Sequence, residues 1–217
     1  MQSRIKILIV DDHPLVRSGL QRLIEREHGL GVCCEAGSIE EAVKCIDNVV
    51  PDLAIIDISL PDGNGLDLIK RIHVSYPDTC ILVSSMHDES LLAERALRAG
   101  AMGYVNKAEA AESVVDAIRH ILDGKIWLSA RMQERLARNE LEMQTTVGQT
   151  PAECLSNREL EVFDMIGRGL GTSEIANMLH LSVKTIETHR ANIKAKLNLD
   201  SGGELNRRAM QWSLEGH

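Results

Sequence analysis

The sequence has few aromatic residues and no long apolar run, and each shortage excludes a class of protein. Phe, Trp and Tyr make up only 2% of the 217 residues, which disfavours a surface that stacks on single-stranded bases or RNA loops. The longest apolar runs have about five residues, far short of a membrane span. The apolar run near the N-terminus ends in two aspartates without a small-residue cleavage site. We therefore expect no secretory signal and a cytoplasmic location.

The five cysteines are also few, and their spacing shows no metal-binding or disulfide pattern. No C-x-x-C occurs, and no cysteine is paired with a histidine as zinc ligands are. An odd count in a chain without a secretory signal is typical of buried thiols. We expect neither disulfides nor zinc at any of them: Cys33, Cys34, Cys45, Cys80 and Cys154.

Positive charge is scarce, since 24 Lys and Arg face 32 Asp and Glu, a net charge of −8. This total argues against a chain coated in basic residues that hold nucleic acid. The excess acid lies in residues 1–124, with 12 basic and 20 acidic residues, whereas residues 150–217 hold 8 and 9. Within residues 182–199 a local basic stripe survives beside the single acid Glu187, formed by Lys184, Arg190, Lys194 and Lys196.

The first 124 residues alternate short apolar runs, rich in β-branched residues, with amphipathic helical patterns. Such runs are typical of strands buried on both faces of a sheet. Helix starts are indicated by Pro14 and by a capping box of Ser38 with Glu41, and helix ends by Gly100 and Gly124. Five strands alternating with five helices predict an α/β fold with a doubly wound parallel sheet. The predicted strands are Ile5–Val10, Val32–Cys34, Leu53–Ile56, Ile81–Val83 and a run around Tyr104–Val105.

The chain after the predicted sheet is first linker-like and then purely helical. A charged, weakly amphipathic stretch over 129–143 is followed by a polar, uncharged and breaker-containing segment over 144–151, which is typical of a linker. A second capping box, Ser156 with Glu159, opens the helical part. We therefore predict three parts: a first domain over 1–124, a helical linker over 125–152 and an all-α domain over 153–217.

Polar side chains follow four of the predicted strands. Asp11 and Asp12 close the first strand, Asp57 the third, and Ser85 and Lys107 follow the last two. Because ligands of doubly wound sheets bind at the carboxyl ends of the strands, we expect these groups to converge. One such aspartate alone is more often a turn former or helix cap. Crowded carboxylates repel one another unless a cation binds, and Mg²⁺ suits them and bridges readily to phosphate. A hydroxyl and an ammonium beside them suit the transfer and holding of a phosphoryl group.

These residues carry a family resemblance. The aspartate pair, the loop D-I-S-L-P-D-G-N-G over Asp57–Gly65, Ser85 and the run over Gly103–Lys107 resemble the receiver domain of bacterial two-component response regulators. The resemblance covers essentially all of residues 1–124 and implies a five-stranded sheet of flavodoxin-like order. It also implies that Asp57 is the phosphoacceptor and that Mg²⁺ binds to Asp11, Asp12, Asp57 and the backbone carbonyl of Ser59.

The same resemblance implies roles for three further side chains. Ser85 corresponds to the switch hydroxyl that turns toward the phosphoryl group, Lys107 to the lysine that contacts it, and Tyr104 to the aromatic that changes rotamer with it. Tyr104 also fits ordinary core packing. The lysine is often followed by Pro in this family, but here it is followed by Ala108, so a cis peptide at this bond is not expected.

The all-α part contains a short helix over Thr172–Leu179, a tight turn and a longer helix from Ser182 to about Leu197. This outline fits a helix-turn-helix, whose second helix enters the major groove, but generic helical hairpins share it. The stretch Leu155–Leu199 resembles the LuxR-type DNA-binding domain of the NarL/FixJ response regulators. A further helix over Glu204–Leu214, with Leu205, Ala209 and Met210 on one side, resembles the segment through which these domains pair.

The exposed face of the longer helix carries the predicted DNA contacts. Glu187, Thr188 and Ala191 match base-facing positions, where a carboxylate accepts from cytosine and Thr or Ala contacts a thymine methyl. Glu187 also fits a solvated helix charge, and His189 fits the edge of the core. With few cations in the stripe, we expect two copies to bind paired half-sites. The predicted phosphate contacts are Lys184, Thr185, His189, Asn192 and Lys196.

Together these patterns predict a transcription factor switched by a histidine kinase that phosphorylates Asp57, with Mg²⁺, double-stranded DNA and a second copy of the chain as partners. One alternative is a Mg²⁺-dependent aspartyl-phosphate hydrolase, but such enzymes usually carry D-x-D at the first strand, and here that strand ends D-D-H. The other alternative is an adaptor whose helical part binds protein. We expect no enzyme with a separate substrate.

Overall fold

The computed structural model describes residues 4–86, 89–108, 111–142 and 151–214. The chain forms two compact units, Met1–Arg138 and Asn139–His217. The division falls within the predicted linker over 125–152, whose residues 143–150 lie outside the described residues. Among the helices of the described ranges, none is both long and apolar enough to cross a membrane.

The strands of the first unit are β1 (Ile5–Val10), β2 (Leu30–Ala36), β3 (Leu53–Ile56), β4 (Ser59–Leu60), β5 (Gly63–Asn64), β6 (Cys80–Ser85) and β7 (Gly103–Asn106). Five of them form a fully parallel sheet in the order β2-β1-β3-β6-β7, which confirms the predicted class. The strand order reverses at β1 and β3, so their carboxyl ends border the crevice where such sheets bind ligands. Strands β4 and β5 pair separately as an antiparallel hairpin.

The helices of this unit are α1 (Pro14–Glu25), α2 (Ile39–Asn48), α3 (Gly65–Ser75), α4 (Glu89–Ala99), α5 (Ala111–Leu122) and α6 (Ala130–Glu142), the last of which crosses the division. Helices α1 and α5 cover one face of the sheet, where Ile24 and Ile118 join Ile9 and Ile55 in one core cluster. Each of these four side chains is at most 1% exposed, and burying one stabilises the fold by roughly 1.5–3 kcal/mol.

Local signals place the helix starts close to their predicted positions. Pro14 is the first residue of α1, where its missing N–H costs nothing. The hydroxyl of Ser38 accepts from the Glu41 N–H at 3.2 Å. The carboxylate of Glu41, however, accepts from the Gly37 N–H at 2.7 Å. Ser38 therefore caps the helix as predicted, but the Glu41 side chain accepts from Gly37, the residue before the cap, and not from Ser38 itself as in a capping box.

The prediction for the cysteines is wrong. Cys34 of β2 and Cys45 of α2 form a disulfide, with 6.1 Å between their Cα atoms. The pairing arises because α2 packs along β2, a proximity that spacing in the sequence does not reveal. The three free thiols, those of Cys33, Cys80 and Cys154, are half-buried and not fully buried.

The second unit is all helical, as predicted. A capping box of Ser156 and Glu159 starts the helix over Asn157–Gly167, as expected. The four-residue helix at Pro151–Cys154 spans the predicted boundary at 152/153 between the linker and the all-α domain. His180 adopts a positive φ of 52° in the predicted tight turn. The helices are α7 (Pro151–Cys154), α8 (Asn157–Gly167), α9 (Thr172–Met178), α10 (Val183–Lys196) and α11 (Gly202–Leu214).

The packed face of α11 differs from its prediction by one residue. Leu205 and Ala209 are fully buried as expected, but Met210 is 53% exposed. Trp212 is buried instead and packs beside Phe163, with 6.4 Å between the ring centroids. The reason is helical geometry, because residues four and seven positions after Leu205, which are Ala209 and Trp212, lie on the same helix face as Leu205. Met210, five positions after Leu205, is rotated away from that face.

Candidate functional site

Two buried aspartates meet at the switch point of the sheet. Asp11 follows β1 and Asp57 follows β3, and the Asp57 N–H donates to the Val10 carbonyl at 2.8 Å. Asp11 is 2% exposed and Asp57 is 3% exposed. The side chain of Asp12 is about one-third exposed, at 34%. The structure thus brings together the three carboxylates that the sequence predicted at one sheet edge.

Lys107 joins these two aspartates. Its Nζ lies 2.6 Å from an oxygen of Asp11 and 2.6 Å from an oxygen of Asp57, and its side chain is 7% exposed. The lysine is placed by β7, since the Lys107 N–H donates to the Ser85 carbonyl at the end of β6 at 2.9 Å. The Lys107–Ala108 peptide is trans, as expected. A fixed ammonium therefore bridges the two buried carboxylates.

The pKa values of Asp57 and Lys107 are shifted by burial and by the contact between the two charges. Burial raises the pKa of Asp57 above its ordinary value, while the Lys107 ammonium and the Ser59 N–H counteract part of that rise. Burial alone would lower the pKa of Lys107, but the carboxylates of Asp57 and Asp11 raise it above the ordinary value. Lys107 therefore keeps its positive charge inside the site.

The donor atoms of the site fit a hard divalent cation. One ligand atom each from Asp11, Asp12, His13 and Asp57 lie within 4.8 Å of one another. Three carboxylates face the single ammonium of Lys107, so two negative charges are in excess, which matches one divalent ion. Carboxylate oxygens are the ligands that Mg²⁺ prefers.

His13 belongs to this cluster although it was not predicted as a site residue. Its Nδ1 lies 2.6 Å from Oδ1 of Asp12 and 3.3 Å from Oδ1 of Asp11. Its backbone N–H donates to the same Asp11 oxygen at 2.9 Å. The tripeptide D-D-H was the available signal, but a histidine after a strand end is common on protein surfaces, and this side chain is 65% exposed.

The loop after Asp57 is shaped by a glycine and an aspartate. A Cβ on Gly65 would lie 2.3 Å from the Asp57 carbonyl oxygen, so only glycine allows this close approach to the backbone. Asp62 accepts from the N–H groups of Ile39 and Glu40, at 2.9 and 3.0 Å, and so attaches the loop to the start of α2. These backbone bonds hold the pKa of Asp62 below its ordinary value.

Ser59, Ser85 and Tyr104 occupy the surroundings of this site. The Ser59 N–H donates to Oδ1 of Asp57 at 3.1 Å, while the predicted use of its carbonyl as a metal ligand stays a prediction. Ser85 is fully buried at the end of β6, and Tyr104 is 2% exposed on β7 opposite Val83. Both are therefore placed next to the strand ends, and their predicted switching roles stay predictions.

The segment after α5 returns to the edge of the sheet, which the sequence did not indicate. The Trp127 N–H donates to the Met102 carbonyl, and the Tyr104 N–H donates to the Trp127 carbonyl, both at 3.0 Å. The Ser129 N–H donates to the carboxylate of Glu89, the first residue of α4, at 2.9 Å. Residues 127–129 are thus hydrogen-bonded to β7 and to α4.

The exposed face of α10 carries most of the predicted DNA contacts. Ser182 caps the helix by accepting from the Thr185 N–H at 3.1 Å. Ile186 and Ile193 are fully buried, which fixes the rotation of the helix. The exposed residues on the other side include these predicted contacts: Lys184, Glu187, Thr188, Ala191 and Asn192.

Two predicted phosphate contacts, Lys196 and Thr185, have partners within the second unit, and a third, His189, is half-buried. Lys196 Nζ lies 2.6 Å from an oxygen of Glu159, a buried residue of α8. The Thr185 hydroxyl lies 2.7 Å from that of Ser182. His189 is half-buried, its Nδ1 has no hydrogen-bond partner among the described residues, and burial together with Arg158 lowers its pKa. Sequence spacing on α10 cannot reveal that Lys196 has a partner on α8.

A second cation of α10 also has a partner within the unit. Arg190, which the basic stripe included, donates to the side-chain oxygen of Asn206 on α11 at 3.0 Å. Arg158 of α8 similarly donates to the Leu179 carbonyl at the end of α9, at 3.1 Å. These bonds hold α10 and α9 on the scaffold of α8 and α11, so Lys184 is the exposed cation at the start of the recognition face.

Comparisons with known families match both units. The model for the response regulator receiver domain matches residues 7–119, and the model for bacterial regulatory proteins of the luxR family matches residues 153–209. The response regulator UvrY of Escherichia coli is 36% identical over 211 residues, which cover 97% of this chain and 95% of UvrY. The oxygen regulatory protein NreC of Staphylococcus carnosus is 35% identical over 214 residues, covering 97% and 99%.

One solved structure is similar to this chain over nearly its whole length. RcsB from Salmonella enterica serovar Typhimurium, bound to a promoter in the presence of the phosphomimetic BeF3−, is 25% identical with a TM-score of 0.61. The similarity covers 95% of this chain and 98% of that one.

Proposed function

The chain belongs to the LuxR-type two-component response regulators of the NarL/FixJ family, which are DNA-binding transcriptional regulators, and on that basis we propose that phosphorylation of Asp57 by a sensor histidine kinase switches its binding to DNA. The observation that carries the proposal is Lys107 placed 2.6 Å from Asp57 and from Asp11 at the switch point of the sheet. Because this family consists of transcription regulators, the hydrolase interpretation of the acidic site is set aside.

The proposed chemistry is a phosphoryl transfer to a carboxylate. An oxygen of Asp57 attacks the phosphorus of the kinase phosphohistidine, the new O–P bond forms, and the P–N bond to the histidine breaks. Lys107 neutralises charge on the phosphoryl oxygens, since such transfers depend mostly on positioning and charge neutralisation. Hydrolysis of this acyl phosphate returns the chain to its starting state, so no separate substrate is required.

The proposed cofactor is Mg²⁺, held by Asp11, Asp12, Asp57 and the Ser59 carbonyl. When bound, it supplies positive charge to the phosphoryl oxygens and to the crowded carboxylates. Asp11 is placed for this role by backbone bonds on both sides, since its N–H donates to the Ala36 carbonyl at 3.0 Å and its side chain accepts from the His13 N–H. The donor set supports the choice of a hard cation.

The proposed switch runs from the phosphoryl site to β7 and α4. Ser85 and Tyr104 respond to the phosphoryl group and shift this face, which changes dimerisation or frees the DNA-binding unit. Both side chains are buried beside the strand ends, so neither can turn without a change in its neighbours. The hydrogen bonds from residues 127–129 to Tyr104 and Glu89 offer a direct connection from this face to the chain that follows it.

The proposed partner of the second unit is double-stranded DNA, read by α10 in the major groove. Glu187, Thr188 and Ala191 face bases, and Lys184 and Asn192 contact phosphates. One subunit offers few free cations, so two copies on paired half-sites are required for tight binding. A regulator that binds chromosomal DNA works in the cytoplasm, where we place it.

The direct test labels the phosphoacceptor. Full-length wild type and Asp57→Asn are incubated with a labelled small-molecule phosphodonor and Mg²⁺, and the acid-stable, base-labile label is counted. We expect about one label per wild-type chain at saturation and none on the variant. Asp52→Asn, which changes an aspartate before β3, is the matched control and should label like the wild type. Equal labelling of Asp57→Asn would reject Asp57 as the acceptor.

A further inference from the structure

Cys34 and Cys45 bring two sulfur atoms together where α2 packs on β2 in the first unit. Cys34 lies on β2, paired in register with Leu8 of β1, and Cys45 lies on α2. Their Cα atoms are 6.1 Å apart, within the range that a disulfide requires. Both residues are half-buried and not sealed in the core, so a small thiol reagent can reach this pair.

The disulfide is formed by an element that also holds the phosphoacceptor loop. It attaches α2 to β2 through Cys45, near the middle of the helix. At its start, α2 is attached to the loop after Asp57 by the two N–H bonds to Asp62. Within the described residues α2 therefore links the cysteine pair to the loop that carries Ser59.

The compartment in which the chain works argues against a permanent disulfide. In line with the proposed function, on which this step rests, the chain works where DNA is, and that compartment keeps thiols reduced. Disulfides found in such compartments are usually transient and responsive to the redox state. Two cysteines that can form a disulfide, in a compartment that keeps thiols reduced, alternate between the thiol state and the disulfide state.

We propose that Cys34 and Cys45 form a reversible thiol–disulfide couple, a modification site whose oxidation fixes α2 on β2 and thereby stiffens the attachment of the phosphoacceptor loop. The oxidant is a low-molecular-weight disulfide such as glutathione disulfide. One cysteine thiolate attacks it, forms a mixed disulfide and releases one glutathione thiolate. The second cysteine thiolate then attacks the protein sulfur of the mixed disulfide and releases the other glutathione. Two protein thiols are oxidised, one glutathione disulfide is reduced to two thiols, and the two protons pass to the glutathione thiolates.

The neighbouring thiols are poor competitors for this chemistry. Burial raises the pKa of the Cys33 thiol and the pKa of the Cys80 thiol, and the thiolate is the reactive form. The Cys33 sulfur also lies 3.4 Å from the Ile7 carbonyl oxygen, toward which its S–H can donate. Cys33 is adjacent to Cys34 in sequence and is therefore a matched control.

The test counts free thiols in the full chain. The protein is equilibrated in glutathione buffers from strongly oxidising to strongly reducing, quenched with acid, alkylated with a mass tag and analysed by mass spectrometry. We expect five tags at the reducing end and three at the oxidising end, with both species present between. Cys34→Ser and Cys45→Ser should each carry four tags at the reducing end and should never lose two tags without added mass, because the remaining cysteine of the pair can only form a mixed disulfide, which is recognised by the mass of one bound glutathione. Cys33→Ser should change from four tags to two, because its pair is intact.

Two results would overturn the couple. Five tags in every buffer would mean that the pair never bonds, and three tags in every buffer would mean that it never opens. These counts need no phosphoryl transfer, so failure of the couple and failure of Asp57 as phosphoacceptor are separate outcomes.

The link to the loop is tested by hydrogen exchange on the same two states. We expect the amides of Ile39 and Glu40, which donate to Asp62, to exchange at least about tenfold more slowly in the oxidised protein. Cys34→Ser should exchange like the reduced wild type in both buffers. Equal exchange in oxidised and reduced wild type would overturn the mechanical part of the proposal.

Discussion

Lys107 and Asp57 form a buried ion pair at 2.6 Å between the ends of β7 and β3. The same ammonium reaches Asp11 at the same distance, so a single cation serves two buried carboxylates. Burying charges is costly unless they are paired. The unphosphorylated site therefore depends on Lys107, and a phosphoryl group on Asp57 must compete with Asp11 for it.

Removing Lys107 should leave the aspartates without their shared cation. We expect Lys107→Ala to lower the free energy of unfolding of the first unit by about 3 kcal/mol in the absence of divalent ions, and Mg²⁺ to restore part of the loss. Urea denaturation followed by Trp127 fluorescence, in a Trp212→Phe background, measures this unit alone.

The control for this change is Lys125→Ala, which removes an exposed lysine 3.8 Å from Asp123. It should change the stability by only a few tenths of a kcal/mol. If Mg²⁺ stabilises neither the wild type nor Lys107→Ala, the carboxylates do not form a cation site.

Two lysines of α10 should behave differently although both were predicted to contact phosphates. Lys184→Ala should weaken binding to all duplexes to a similar extent and reduce the slope of log K against log salt by about 1. Lys196→Ala should instead lower the stability of the second unit by about 1–2 kcal/mol, because it leaves buried Glu159 without its cation at 2.6 Å.

Fluorescence anisotropy over a salt series measures the first effect, and Trp212 fluorescence in a Trp127→Phe background measures the second. If Lys184→Ala has the same slope of log K against log salt as the wild type, or if Lys196→Ala has the same stability as the wild type, these roles are wrongly assigned.

Base preference should depend on Glu187. We expect Glu187→Ala to reduce the discrimination between a selected duplex and its single-base variants by about 1–3 kcal/mol at one position. Binding to random DNA should not weaken. Competition binding with a duplex selected from a random pool checks this, with Glu134→Ala, a change on α6, as the control. Equal loss on selected and random duplexes would contradict base reading by this side chain.

Acid should weaken the second unit through Glu159. Burial alone would raise the pKa of Glu159, but Lys196 and Ser156 lower it below the ordinary value of 4.5. Between the two pKa values the unfolded chain binds more protons than the folded one, so stability rises with pH there. The contribution is complete above about pH 4.5 and is lost as the pH falls through the lowered pKa.

The measurement is the stability difference between wild type and Glu159→Gln as a function of pH. We expect a constant difference at neutral pH that shrinks below about pH 4.5. A difference that grows on acidification would mean that the carboxylate is not stabilised by the fold.

The sequence predicted the sheet because the relevant signals are local. Apolar runs such as Leu53–Ile56 identify buried strands, and the rule that ligands bind at the strand ends brought Asp11, Asp57 and Lys107 together without any knowledge of distances. The same reasoning identified Ser156 as a helix cap.

The failures at Lys196, at the cysteine pair and at Trp127 share a physical cause, which is contact between residues far apart in sequence or on different elements. Glu159 lies 37 residues before Lys196, and nothing on α10 indicates that this lysine has a partner. Cys34 and Cys45 needed the packing of α2 on β2 to become a pair. The backbone of Trp127 is hydrogen-bonded to Met102 and Tyr104 because β7 is the last strand of the sheet, which the sequence around Trp127 does not indicate.

The most direct test of the account measures DNA binding by the full chain with and without phosphorylation of Asp57. The affinity for a selected duplex is determined by anisotropy for wild type and Asp57→Asn, each with Mg²⁺ and with or without the phosphodonor. A phosphorylation switch predicts that the donor changes the wild-type affinity by about tenfold or more and leaves Asp57→Asn unchanged. An equal response of both proteins, or no response of a wild-type sample shown to be labelled, would contradict the switch.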